Sequence, residues 1–189
     1  GQLIILSGPS GVGKSTVIAE LLGQRQDIHF SVSFTTRKPR VGEANGVNYN
    51  FVERDEFERM IADGELLEHA EYVNNYYGTS LKVIQEKLDA GVDVLLDIEV
   101  QGAIQVTGKR SDAVRIFIAP PSWAELERRL TERGTDSLEK IQKRLLRAKV
   151  EFQTAHTYDY FVINDSVENA VEELNAIMTA EHCKPKERM

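Results

Sequence analysis

Apolar and polar positions follow two rhythms along this chain. Short, nearly continuous apolar runs, "QLIIL" at 2–6 and "VDVLLDI" at 92–98, have the pattern of strands buried on both faces. "AVRIFIA" at 113–119 and "YDYFVIN" at 158–164 predict two further strands. Between them lie segments with a helical period: "STVIAELLGQ", "SLKVIQEKLDAG", "SWAELERRLTERG", "SLEKIQKRLLRAKVEFQTAH" and "SVENAVEELNAIMTAE". Several carry a Ser, Thr or Asp near a plausible N-cap, and Gly91 and Gly134 stand near plausible helix ends. Strands alternating with helices predict an α/β fold built on a parallel sheet.

Two regions break the rhythm. "SVSFTTRKPRVGEANGVNYNFV", followed by "LLEHAEYVNNYYGTS", is rich in turn residues and short alternations, which predicts a small, largely antiparallel insertion. Residues 122–150 form two helical segments joined by "ERGTDS" and crowded with arginines, the pattern of a lid.

The first chemical signal is the turn after the opening apolar run. In "GPSGVGKST", Gly8, Gly13, Lys14 and Ser15 satisfy G-x-x-x-x-G-K-[ST] between a strand pattern and a helix pattern. Glycines let backbone N–H groups close around phosphate oxygens, and the following helix points its positive end at the same anion. Lys14 is suited to the β- and γ-phosphates and Ser15 to a Mg²⁺ ion, with Ser10 and Thr16 as local hydrogen-bonding partners. The loop alone implies a nucleoside triphosphate and fits a kinase, a GTPase or an ATP-driven motor.

Asp97 ends a buried strand pattern, where a carboxylate can ligate Mg²⁺ directly or through water, or position an acceptor phosphate. A strand-end turn residue is the plainer reading, and Glu99 is a weaker candidate of the same kind. In "TTRKPRVGE", Arg37 and Arg40 share a Pro- and Gly-containing loop; two guanidinium forks there suit a monophosphate, although a solvated loop looks the same. Tyr49 and Tyr77 can add hydroxyl donors or simply pack.

Composition narrows the setting. A formal net charge of -7 argues against a general nucleic-acid binder, since nothing neutralises a run of phosphates. A single cysteine excludes an intrachain disulfide and fits a reducing compartment. The apolar run at 3–6 is too short for a signal peptide or a membrane span, so a cytoplasmic protein is expected. The four histidines show no metal-ligand spacing, and His69 is read as structural.

These segments, together with "LERRLTERGTDS", "IQKRL" and "YDYFVIND", occur in an order and spacing that resembles the guanylate kinases over essentially the whole chain. The resemblance implies ATP + GMP ⇌ ADP + GDP with Mg²⁺. It implies a phosphate-loop core with a parallel sheet at 1–31, 84–121 and 151–189, a GMP-binding lobe at 32–83 and a helical lid at 122–150. Gly8, Pro9, Ser10, Gly11, Val12, Gly13, Lys14, Ser15 and Thr16 would hold ATP, with Asn164 near adenine. Arg133 and Arg144, and more weakly Arg129, would reach the ATP phosphates from the lid and its neighbour. The GMP phosphate would lie on Arg37, Arg40, Tyr49 and Tyr77, and guanine on Glu68 and Thr79, with Ser33 close by. Asp97 would stand near the metal and the acceptor. Phe34 departs from the pattern, which leads one to expect a small or polar residue there.

The base assignment has its own chemistry. Guanine offers N1–H and the adjacent 2-amino group to one carboxylate, whereas adenine has an unprotonated N1 and no amine at position 2. Losing two charge-assisted hydrogen bonds at about 1.5–3 kcal/mol each discriminates by roughly 10²–10⁴. The rivals are a guanylate-kinase-like protein-interaction module, against which the intact "GPSGVGKST" argues, and a kinase for another nucleoside monophosphate. A site that reads base and phosphate is compatible with dGMP, and oligomeric state is left open.

Overall fold

The computed structural model describes residues 1–72, 74–132 and 137–185. In chain order the elements are β1 (Leu3–Ser7), α1 (Lys14–Gln24), β2 (Ile28–Phe30), β3 (Phe34–Thr35), β4 (Asn50–Phe51) and α2 (Arg54–Ala62). Then come β5 (Leu66–Tyr72), β6 (Asn75–Ser80), α3 (Leu81–Asp89), β7 (Asp93–Asp97), α4 (Val100–Lys109) and β8 (Val114–Ala119). The chain ends with α5 (Trp123–Glu132), α6 (Leu138–Phe152), a 3₁₀ turn at Ala155–Thr157, β9 (Tyr160–Ile163) and α7 (Val167–Cys183). A five-stranded parallel sheet runs in the order β2-β7-β1-β8-β9, and a separate four-stranded sheet in the order β4-β3-β6-β5. The parallel sheet is the one the apolar runs predict, and the small, mostly antiparallel second sheet is the one predicted by turn residues and short alternations.

The chain divides into two compact units. The first comprises Gly1–Leu3, Asp27–Leu96 and Gln101–Ala113. It holds the second sheet, whose β5–β6 and β3–β6 pairs are antiparallel while β3–β4 is parallel. Phe34 takes its place in β3 opposite Gly78 and Asn50. Phe57 of α2 is fully buried and stacks on Tyr76 at 5.3 Å. The second unit comprises Ile4–Gln26, Asp97–Val100 and Val114–Met189. There β8 pairs in parallel with β1 and β9, with Leu6 opposite Ile116 and Ala119 opposite Ile163.

Local chemistry explains the boundaries. Ser80, Ser137 and Ser166 accept the N–H three residues on and so cap α3, α6 and α7. Gly91, at φ 80°, follows the end of α3 as the sequence predicts, while Gly134 lies outside the described residues. α5 and α6 pack through Leu126, Leu130, Ile141 and Ala148. Beneath β8, Phe117 is fully buried among Phe152, Tyr158 and Phe161, with ring centroids 5.2–5.8 Å away.

Phe117→Ala removes the ring that three others meet, and it should cost about 3–5 kcal/mol of unfolding free energy in a denaturant titration. A loss below 1 kcal/mol, by the same large-to-small scale, would mean that this aromatic cluster does not hold β8 to the end of α6.

Candidate active site

In the second unit, β1 delivers the chain into the glycine loop. Gly8 has φ 149°, and a Cβ there would stand 2.2 Å from the Ile118 carbonyl oxygen, so only glycine passes β8 this closely. Gly13, at φ 96°, is the N-cap of α1, which has no side-chain cap on its first N–H groups. A helix start of this kind is suited to an anion. Val12 is buried, and its carbonyl accepts from Asn164 Nδ2 at 2.8 Å and from Arg129 Nη1 at 3.0 Å.

The loop's cations and hydroxyls converge. Lys14 Nζ donates to the Gly8 carbonyl at 2.8 Å and stands 3.7 Å from Asp97 Oδ1. Arg144, from α6, donates through Nη2 to Ser10 Oγ at 2.5 Å. A cavity of about 340 Å³ is bordered by Pro9–Gly11, Gly13–Thr16, Asp97 and Arg129. A second, of about 350 Å³, lies between Thr16, Asn164, Arg129 and the 165–168 turn. Arg129 is engaged on three sides: Nε donates to Glu125 Oε1, Nη1 to Val12 and Nη2 to the Asn164 carbonyl. Its contacts make it a strap on the loop. Hydrogen bonds from Arg128 and Arg129 hold the Glu125 carboxyl down to about 2, so it keeps its charge at any ordinary pH. Glu99 is held by Arg147, whose Nη2 donates to it at 2.5 Å while its Nε donates to Glu151 at 3.0 Å. Burial pushes the Glu151 carboxyl up despite that arginine. Arg133 lies outside the described residues.

In the first unit, Glu68 on β5 sits opposite Thr79 on β6. Glu68 is 5% exposed, and Thr79 Oγ1 donates to its Oε1 at 2.6 Å. The arginine loop is organised by Glu43. Its Oε2 accepts from Arg37 Nη1 at 3.0 Å and from the Arg40 backbone N–H at 2.7 Å, while Oε1 accepts from Arg37 Nη2 at 2.8 Å. The Glu43 bond also raises the guanidinium's pKa, and the arginine holds the Glu43 carboxyl below its usual range. Arg37 lies over the rings of Tyr49 at 5.3 Å and Phe51 at 5.8 Å, and Tyr49 meets Tyr77 edge-on at 5.9 Å. The Arg40 side chain is exposed. Ser33 is half-buried, and its carbonyl accepts from Asn50 N–H. Among the described residues no group of three or more His, Cys, Asp or Glu could hold a metal by itself.

The guanylate kinase family profile matches residues 1–181. The chain is 54% identical over 189 residues to the guanylate kinase of Shouchella clausii, covering 100% of this chain and 92% of that one. The chain belongs to the guanylate kinase family. The guanylate kinase of Bacillus subtilis is 51% identical over 185 residues, covering 97% and 91% of the two chains. The crystal structure of guanylate kinase from Anaplasma phagocytophilum superposes with a TM-score of 0.80 at 38% identity, over 97% of this chain and 87% of that one.

Within this guanylate kinase family member, the sequence reading misses Glu43 as a partner and, though it names Arg129, misses what Arg129 holds. Glu43 was legible only as part of "RVGE"; its six-residue spacing from Arg37 acquires meaning once Gly42, at φ 88°, folds the loop back. Arg129's engagement with the loop depends on contacts 117 and 35 residues away in sequence.

Gly13→Ala should destabilise the protein by about 1–2 kcal/mol from its left-handed backbone alone. The added Cβ would also stand 2.5 Å from Asn164 Nδ2 and displace it from Val12. Denaturant titration reads the total. An unchanged midpoint would show that Asn164 does not hold the loop.

Proposed function

We infer that the chain transfers the γ-phosphoryl group of ATP to GMP, giving ADP and GDP. One observation carries the choice of acceptor: a glutamate, Glu68, is buried beside the Thr79 hydroxyl, in the unit that also holds the Arg37–Glu43 pair. A buried carboxylate is costly unless donors meet it, and guanine supplies two adjacent ones. In this reading residues 32–83 form the acceptor lobe, 122–150 the lid, and 1–31, 84–121 and 151–189 the core.

An oxygen of the GMP phosphate, already anionic, attacks the γ-phosphorus in line. The bond from that phosphorus to the β,γ-bridging oxygen breaks, and its electron pair leaves with ADP. No strong general base is needed, so catalysis is chiefly positioning and charge stabilisation. The loop residues Gly8–Thr16 and Lys14 hold the donor phosphates, with Arg144 and Arg133 supplying further positive charge and Asn164 bordering the adenine site. Arg37, Arg40, Tyr49 and Tyr77 hold the acceptor phosphate. Both Nη1 hydrogens of Arg37 are committed to Glu43 and Lys38, so the incoming anion meets its Nε–Nη2 edge. Ser33 and Thr79 complete the base site with Glu68.

Mg²⁺ fits the donor side: Ser15 and Asp97 offer hard oxygens beside the loop, and such an ion takes its other ligands from phosphates and water. When bound it neutralises the β- and γ-phosphate charge.

A coupled assay of ADP release with GMP, dGMP, AMP, CMP and UMP tests the reading. GMP should be used best, and Lys14→Ala should abolish turnover with the fold intact. A preference for another base would overturn the acceptor assignment. Arg37→Ala should raise KM for GMP by about tenfold or more with little change for ATP, the scale of one lost charge-assisted bond. Glu43→Gln should raise it in the same direction and add nothing in the Arg37→Ala background. Additive effects would show that Glu43 does not act through Arg37.

A further inference from the structure

The guanine-reading assignment places Glu68 on a segment with two soft features. β5 is an outer strand of its sheet, and outer strands present backbone groups that no strand satisfies. The β5–β6 register also slips between Leu66, opposite Ser80, and Glu68, opposite Thr79, leaving Leu67 as an extra residue. A bulge of this kind re-aims the side chain that follows it.

Both features are held by one face of α4. Gln105 Nε2 donates to the His69 carbonyl at 2.9 Å, and its Oε1 accepts from the His69 N–H at 3.2 Å. The carboxamide thus pairs with His69 as a neighbouring strand's peptide would. One helical turn later, Lys109 Nζ donates to the carbonyls of Leu67 at 2.7 Å and Leu66 at 3.3 Å. Residues four apart on a helix share a face, so the two side chains act together. Their backbone contacts fall on 66, 67 and 69, on either side of Glu68, while the Glu68 carboxylate itself meets Thr79.

The geometry points to Gln105 and Lys109 as positioning residues that set base specificity through Glu68. They fix the backbone on both sides of the reading carboxylate, and so keep it where guanine's paired donors meet it. The inference rests on Glu68 reading the acceptor base. A carboxylate displaced by a fraction of an ångström still tolerates a base lacking one donor, but no longer rewards the base having both. Loss of the strap therefore lowers discrimination more than it lowers turnover.

The test measures kcat/KM for GMP and for IMP, which keeps N1–H and lacks the 2-amino group. Gln105→Ala and Lys109→Met should each lower the GMP-to-IMP ratio by about tenfold, the scale of misplacing one polar contact, with KM for ATP unchanged. Lys109→Arg, which keeps the donors, should retain the ratio. If Gln105→Ala folds poorly, Gln105→Glu replaces the donor to the His69 carbonyl with a carboxylate oxygen at nearly constant volume, adding one negative charge, and should show the same loss. Equal declines for GMP and IMP would reduce the strap to a merely structural role and overturn the inference. Glu68→Gln separates the two layers. If it leaves the ratio unchanged, the base-reading assignment fails. If it collapses the ratio while the Gln105 and Lys109 variants preserve it, only the strap fails. In the Glu68→Gln background Gln105→Ala should cause no further loss of ratio; an additive loss would show that Gln105 does not act through Glu68.

Discussion

Much of the second unit depends on a single backbone acceptor, the carbonyl of Val12. The Val12 N–H donates to Pro9 within the loop, and its carbonyl is where the surrounding elements grip the turn from outside. Asn164 and Arg129 both donate to this oxygen and so use both of its lone pairs. Gly13 must lack a side chain because Asn164 occupies the space, and Asn164, just after β9, is set by its own N–H on Ala119 at the end of β8. Arg129 is aimed by Glu125, which stays ionised because two arginines meet it. Each requirement generates the next, and together they tie α1, α5 and β9 to one turn.

The first unit meets the same need with a different device. There the groups to be fixed are charged side chains, and the chain supplies a countercharge of its own. Glu43 closes the 37–43 loop by accepting from both an Arg37 guanidinium and an Arg40 amide, so the cation is oriented at little entropic cost before any ligand competes for it. Glu68 is treated in another way: it is buried, and a neutral hydroxyl, that of Thr79, donates to it. Such preorganisation is where electrostatic catalysis gains most, because nothing need turn when the reacting charges develop.

The parallel strands were legible because burial on both faces writes unbroken apolar runs, and the capped helices because serine announces their starts. α2 and α4 were not. "RDEFERMIA" lies inside a segment whose glycines and tyrosines suggest strands, and "VQGAIQVTGK" carries two glycines and four β-branched residues, a weak helical signal that tertiary packing overrides. β2, of three residues, is too short to show a period. At the site, the phosphate loop could be read because its chemistry is contiguous. Glu43 and Gln105 could not, nor could the grip of Arg129 on Val12 and Asn164, since each acts on a backbone or side chain that only the folded chain brings near. Resemblance to a family supplies the first kind of residue more readily than the second.

β9 is an outer strand of the parallel sheet, and it is fastened at both ends. Asp159, just before it, accepts twice from the Arg115 guanidinium and once from its amide; Tyr160 donates to Glu181 on α7; Asn164, just after it, is the residue that holds Val12. Peeling this strand from β8 therefore releases the nucleotide turn in the same event. Amide hydrogens of β9 and of the turn belong to one cooperative opening unit, in which exchange at the sheet's margin reports on the integrity of the loop.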